Sequence, residues 1–271
     1  MVLTRLGISK LWHDDPEVLW RAMRYFVRPV VTRWLAPGSF AYGGERVVLS
    51  GGAVVAGNHL SAIDPLVLGA FCPRAIYFMA KAELLSMPVA GEILEWTGAF
   101  PVHRRQRDEE AIERGRELVR EGHVICLFVE TTRQRLGYPG RVHPRGLMIA
   151  MEERVPVIPF GLETFRWSLK NRRACTIVWG PSIDLAEQAE GDLQRGGHII
   201  QSAMHRLWRQ AAEAIVAGFP PTLPDGARRS GPIPPGSARP GPAEGKARGG
   251  SRAQPARQSS LNPAETRSRH H

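Results

Sequence analysis

The sequence is short of cysteine, of long apolar runs and, toward its C-terminus, of almost every large apolar residue. Only three cysteines occur in 271 residues, Cys72, Cys126 and Cys175. They stand far apart, each beside apolar residues and at no metal-ligand spacing. This excludes a disulfide-stapled scaffold and a thiolate metal cage, and leaves buried, reduced thiols of a cytosolic protein as the expectation. No apolar run approaches the roughly 20 residues that cross a bilayer. The N-terminus lacks a signal-peptide pattern, because charges and Trp12-His13-Asp14-Asp15 interrupt it early. Membrane contact is therefore expected at the surface only, by a cytoplasmic protein peripheral to the cytoplasmic face.

From about Pro220 the chain is mostly Pro, Gly, Ser, Ala and Arg. Such a segment cannot bury enough surface to offset its ordering entropy. Residues 220–271 are expected to form a disordered tail without chemistry, after an N-terminal amphipathic segment (1–40) and one α/β domain (41–219). The formal net charge is +10. Nucleic acid, anionic lipid or a phosphorylated substrate would each suit that charge. The tail holds nine Lys/Arg against Asp225, Glu244 and Glu265, so most of the excess lies outside the domain. No nucleic-acid recognition motif is visible, and nucleic acid is not an expected partner.

What the chain does contain is an ordered series of short apolar runs. Residues 53–56, 75–79, 99–102, 124–129, 155–160 and 176–179 read as buried strands. Helical patterns separate them at 65–71, 88–96, 108–121, 145–153 and 198–217. The alternation predicts a single α/β domain with a central mixed sheet flanked by helices. Before it, residues 16–35 interleave Val18, Leu19, Phe26, Val27, Val30 and Val31 with Arg21, Arg24, Arg28 and Arg33. That pattern suits an interfacial helix, and equally one packed on the domain with snorkelling arginines. Pro29 should kink or divide it.

Four stretches carry candidate chemistry. Asn58-His59-Leu60-Ser61-Ala62-Ile63-Asp64 follows the first long apolar run. Imidazole takes a proton near neutral pH and a carboxylate can fix its tautomer, which makes half of a triad without a serine. The spacing of five does not place both on one helical face. Contact requires His59 on the loop and Asp64 in the first helical turn. The plainer alternative is Asp64 as a helix cap and His59 as a loop residue. Next, Gly98 to Arg105 ends a strand in a basic cluster suited to phosphate, or to solvent. Then Phe128-Val129-Glu130-Thr131-Thr132-Arg133 runs a strand out into an acid, two hydroxyls and a guanidinium, where open α/β sheets collect ligands. Last, Val155 to Phe160 carries Pro156 and Pro159, which predicts an edge strand or an apolar wall.

In this order and spacing, the four stretches resemble the glycerolipid acyltransferase family of 1-acyl-glycerol-3-phosphate acyltransferases, which make phosphatidic acid from lysophosphatidic acid. The family's blocks are Asn-His-x4-Asp, Gly-x-x-Phe/Pro-x-x-Arg, Phe-Pro-Glu-Gly-Thr-Arg and Val-Pro-Ile-Val-Pro. The resemblance spans roughly residues 16–217. It implies that His59 is a general base on the acceptor hydroxyl and that Asp64 orients its ring. The donor would be an acyl-CoA or acyl-carrier protein, used as co-substrate with no cofactor, no metal and no acyl-enzyme. Asn58, Ser61, Arg104, Glu130, Thr131, Thr132, Arg133 and Pro156 become the substrate-binding set. Arg104, Thr132 and Arg133 would hold a phosphate, and Glu130 would order the site through hydrogen bonds. Residues 155–159 would line a route for acyl chains.

The chain departs from the family at Thr131, in place of glycine, and at Val129, in place of proline. A β-branched residue does not easily take a positive φ or allow close backbone approach, so a reshaped acceptor pocket is expected. Pro144 stands where the family has a lysine, with Arg145 adjacent. Other acceptors, either another lysolipid or a specialised one, remain open. So does a non-catalytic lipid-binding role on the same fold.

Overall fold

The computed structural model describes residues 16–86, 99–102, 109–217 and 228–230. The expected helix at 88–96, and Arg104 with its basic neighbours, lie outside the described residues. The chain divides into two units after Ser237, and the second, Ala238–His271, also lies outside them.

The strands are β1 (Phe40–Tyr42), β2 (Ala53–Gly57), β3 (Ile76–Lys81), β4 (Phe100–Val102), β5 (Val124–Phe128), β6 (Val157–Glu163), β7 (Thr176–Trp179) and β8 (Arg229–Ser230). They form one sheet in the order β4-β3-β5-β2-β6-β7-β1-β8. Neighbours from β4 to β6 run parallel, and β7 is antiparallel to β6. The sheet is mixed, as expected for the fold. All of β2 is buried, and β5 nearly so, which is why both read as unbroken apolar runs.

Two elements escaped the sequence pattern. β1 has three residues, and β8 adds a two-residue antiparallel partner to its edge from within the expected tail. The expectation for 155–160 is corrected more sharply. β6 is a central strand between β2 and β7, not an edge. Its prolines are tolerated for a local reason. The Pro159 carbonyl accepts from Gly180 N on the β7 side, so the missing Pro159 N–H falls where that strand is leaving the ladder.

The helices pack on this sheet: α1 (Pro16–Val30), α2 (Asp64–Phe71), α3 (Ala82–Leu85), α4 (Glu109–Arg120), α5 (Met148–Glu152), α6 (Leu185–Gln188) and α7 (Leu193–Ala217). Asp192 begins α7 by accepting from the backbone of Gln194 and Arg195. α1 runs through Pro29 and then widens into a π-helical turn, Val31–Leu35, a change of winding where the proline removes a donor. Trp20 and Val31 are buried, and Trp20 Nε1 donates to the Cys72 carbonyl at 3.3 Å. Arg74 ties this helix down. Its guanidinium reaches Glu17 at 3.0 Å, the Gly51 carbonyl at 2.7 Å and the Gly122 carbonyl at 2.7 Å. The three cysteines are free and buried, as expected.

α7 approaches the sheet closely at Gly161. A side-chain carbon there would meet the backbone N of Trp208 at 2.1 Å and the backbone carbon of Leu207 at 2.3 Å. Gly161→Ala must push the helix off β6, and is expected to cost about 1–3 kcal/mol of stability, read as a lower Tm in thermal unfolding. Gly69→Ala serves as the contrast. Its new carbon would meet only the Trp20 ring at 3.7 Å within α2, so Tm should hold or rise by helix propensity alone.

Candidate active site

β2 is the central strand that aims the site. At its end, the Phe160 ring fills the space a Gly57 side chain would need, 2.3 Å from where the carbon would stand. The next residue leaves the sheet without leaving backbone groups unpaired. Asn58 is fully buried; its Nδ2 donates to the Leu162 carbonyl at 2.8 Å and its Oδ1 accepts from Leu162 N at 2.7 Å. The expectation of Asn58 as a substrate ligand is therefore corrected: both polar atoms of its buried amide are engaged with the Leu162 backbone and imitate one more step of the β2–β6 ladder.

His59 emerges from that anchored point. Its Nδ1 lies 2.8 Å from Asp64 Oδ2, with 16% of the imidazole side chain exposed and none of the carboxylate. The same Oδ2 accepts from Leu60 N at 2.7 Å and Ser61 N at 3.0 Å. Oδ1 accepts from Thr164 Oγ1 at 2.5 Å. Asp64 is thus the first residue of α2, yet its side chain turns back to the preceding loop. It is not capping its own helix. A buried carboxylate needs such partners, because leaving it unpaired is costly. Asp64 can only accept from Nδ1, so that nitrogen holds the ring proton and Nε2 presents its lone pair. Phe128 stacks on the imidazole, with ring centres 4.2 Å apart and 21° between planes. Among the described residues, the ring makes no other hydrogen bond.

The loop after β5 holds His59 from the other side. Glu130 Oε2 accepts from His59 N at 2.6 Å, and Gln134 N donates to the His59 carbonyl at 2.8 Å. Glu130 Oε1 accepts from Gly140 N. Glu130 is only 1% exposed. Burial pushes its carboxyl up to about 7, assisted by the Asp64 charge and opposed by the two N–H donors. So Glu130 orders the site through hydrogen bonds to its neighbours, and does not face an acceptor. Thr131 takes a φ of 60°. The left-handed conformation survives without glycine at a cost of about 1–2 kcal/mol, because Glu130 and Gln134 fix the chain on both sides and Thr131 N donates to the Phe128 carbonyl at 2.9 Å. The departure from glycine leaves the backbone path in place and adds an exposed side chain. Thr132 and Arg133 are exposed beside it, and Ser61 is half-buried.

Pro156 is placed elsewhere. β6 runs parallel to β2, with Val157 level with Val54 and Phe160 level with Gly57. At about 3.3 Å per residue, Pro156 lies roughly 13 Å below the end of β2, away from His59. The part of β6 that reaches the site is its far end, Leu162 and Glu163, with Thr164 just beyond it. Thr164, Phe128, Gln134 and Gly140 are the positioning residues that the sequence reading missed.

The raised Glu130 carboxyl sets a direction for stability with pH. Its folded form holds a proton that the unfolded chain releases near 4.5, so the stability tied to the neutral acid is lost as pH rises through about 7. Glu130→Gln does not titrate and loses one of the two acceptors. Denaturant titrations should find the variant less stable at pH 5, with the gap to wild type narrowing by pH 8. A gap that widens over that range would contradict the buried, proton-holding carboxyl.

Residues 39–163 match the family model named Acyltransferase. The chain is 31% identical over 127 residues to a 1-acyl-sn-glycerol-3-phosphate acyltransferase of Bacillus subtilis, covering 46% of this chain and 62% of that protein. It is 32% identical over 148 residues to the protein of the same description from Borreliella burgdorferi, covering 52% and 58%. A lyso-ornithine lipid O-acyltransferase of Pseudomonas aeruginosa is 30% identical over 118 residues, covering 43% and 45%. The chain thus spans about 60% or less of the length of these relatives. The fold is that of the crystal structure of the 1-acyl-sn-glycerophosphate (LPA) acyltransferase PlsC from Thermotoga maritima, with a TM-score of 0.58, 23% identity, and 69% and 77% of the two chains covered. The matched region holds β2, His59, Asp64, the Glu130 clamp and β6, so the likeness to 1-acyl-sn-glycerol-3-phosphate acyltransferases covers the part of the chain that builds the site.

Proposed function

We propose that the protein is an O-acyltransferase that moves an acyl chain from a thioester donor to the free hydroxyl of lysophosphatidic acid, giving phosphatidic acid. The observation that carries this reading is the His59–Asp64 pair, with Nδ1 engaged at 2.8 Å and no protein hydroxyl or thiol on the ring among the described residues. Nε2 takes the proton from the acceptor hydroxyl as its oxygen attacks the thioester carbonyl. The C–O bond forms, the C–S bond breaks, and the proton passes from the imidazolium to the departing thiolate. Asp64 stabilises the imidazolium between the two transfers. Arg133 offers a guanidinium for the acceptor phosphate. Nothing in this sequence of steps needs a metal or an acyl-enzyme.

A second acceptor class has its own support. The Pseudomonas relative is described as acting on a lyso-ornithine lipid, and Thr131 places a hydroxyl where the family has no side chain. An aminoacyl lysolipid is the runner-up acceptor.

The membrane surface enters through α1. Together with the π-helical turn that follows it, α1 buries Trp20 and Val31 against the domain but leaves Tyr25, Phe26 and Trp34 at 76%, 69% and 67% exposure. Arg21 and Arg33 are exposed on the same segment. The packed residues support the helix-on-domain reading, and the exposed ones are those the interfacial reading requires. No helix among the described residues is long and apolar enough to cross a membrane. Contact through aromatic rings and arginines at headgroup depth is what this face suits.

His59→Ala is expected to lower acyl transfer by about two to four orders of magnitude with little change in Tm, measured by mass of the product lipid on a panel of lysolipids with one acyl-CoA. Asp64→Asn should be nearly as damaging, since an amide cannot accept from all four present donors. Undiminished turnover in His59→Ala would remove the mechanism. Consumption of an aminoacyl lysolipid but not lysophosphatidic acid would decide for the runner-up. Phe26→Ser combined with Trp34→Ser should reduce co-sedimentation with anionic liposomes without lowering Tm. Unchanged sedimentation would clear α1 of the membrane role.

A further inference from the structure

On the β6–β7 side of the site lies a cavity of about 500 Å³, inside the range of about 300–1,000 Å³ usual for ligand pockets. Trp208, Ala212, Ile215 and Val216 line it from the last turns of α7, recurring at the spacing of one helical face. Leu136 and Phe165 complete its apolar lining. The Phe165 ring is seated against Gly137, where a side-chain carbon would approach it to 2.8 Å and where φ is +84°.

Two segments make this cavity part of the same machine as His59 and Asp64. Thr164 lines it, and Thr164 also donates to Asp64. Leu136 and Gly137 line it, and they follow Gln134, whose N–H holds the His59 carbonyl. The acid of the cavity is already engaged. Glu163 Oε2 accepts from Trp208 Nε1 at 2.9 Å, and its Oε1 accepts from Phe165 N at 3.3 Å.

What is left is an apolar surface and two guanidinium groups. Arg166 and Arg173 both line the cavity, both are exposed, and neither makes an ion pair among the described residues. The segment from 164 to 175 carries these two with Lys170 and Arg172, and no acidic residue. A ligand that satisfies the whole lining has an apolar chain and a phosphate-bearing end. Two substrates of the proposed reaction have that chemistry. The donor is the better match, because a coenzyme A thioester carries several phosphates where a lysolipid acceptor carries one, and the lining offers two guanidinium groups.

We infer that the cavity is the acyl-donor site: the donor's chain lies along Ala212, Ile215 and Val216, and its phosphate groups meet Arg166 and Arg173. The inference rests on the acyl-transfer reading and adds to it the place where the thioester enters.

The probe is S-hexadecyl-coenzyme A, a thioether that cannot transfer its chain, titrated into the full-length protein by calorimetry. Ala212→Trp fills the cavity from α7 and should weaken this probe by about tenfold, or roughly 1.4 kcal/mol, while an S-butyl analogue binds as before. Arg166→Ala with Arg173→Ala, both at exposed positions that tolerate truncation, should weaken both probes alike and flatten their salt dependence. In turnover, KM for the thioester rises in either variant and KM for the lysolipid does not. If the lysolipid KM rises while thioether affinity stays, the cavity belongs to the acceptor and the inference falls. It falls equally if the arginine variant binds both probes like wild type. A wild-type protein that binds the thioether with this dependence on Ala212 and the arginines, yet acylates no lysolipid, would leave the donor site standing and sink the acyl-transfer reading instead.

Discussion

A buried carboxylate with four donors organises this end of the molecule. Asp64 is fully excluded from water, and His59, Leu60, Ser61 and Thr164 share the task of stabilising its charge. Those four come from the β2 loop and from the end of β6, a hundred residues later in the chain. The carboxylate therefore joins α2, β2 and β6 at one point and fixes an imidazole there. The Asn58 amide secures the same β2–β6 seam one residue earlier. The Glu130 and Gln134 backbone clamp then closes on His59 from β5. Three central strands meet in one side chain, and the sheet's strength becomes the ring's orientation.

The legible part of this was local. His59, Asp64 and the strand before them form a pattern within a dozen residues, and the spacing of five required the loop-and-first-turn geometry that the structure has. The alternation of strands and helices was legible because β2 and β5 are buried on both faces. The illegible part was long-range or directional. Nothing near Thr164 marks it as a partner of a residue a hundred positions earlier. Asn58 looked like a ligand because its real partner, the Leu162 backbone, has no side-chain signature. Pro156 was assigned to the site because a single sequence does not state which end of a strand faces the ligand; the parallel register does. The partners of Glu130, the backbone N–H groups of His59 and Gly140, were invisible because they too have no side-chain signature. β8 is two residues of an otherwise unpatterned tail, held by pairing with β1 rather than by any propensity of its own.

Thr131 shows how far backbone geometry can outlive the residue suited to it. The positive φ persists because the chain is held at both sides of it, so the strain is carried by the clamp. The side chain that glycine would lack is then exposed, as are those of Thr132 and Arg133 that follow it.

The solitary ring of His59 has a consequence for the order of events. On the proposed reading, Asp64 holds one nitrogen and no hydroxyl or thiol among the described residues bonds the other, so the acyl group passes directly from donor to acceptor. Donor and acceptor then occupy the site together, in a ternary complex. A thioester that arrives before its acceptor meets an activated base with only water to offer it. The selectivity of such a site thus rests on keeping that water out until the second lipid has arrived, a task for packing rather than for chemistry.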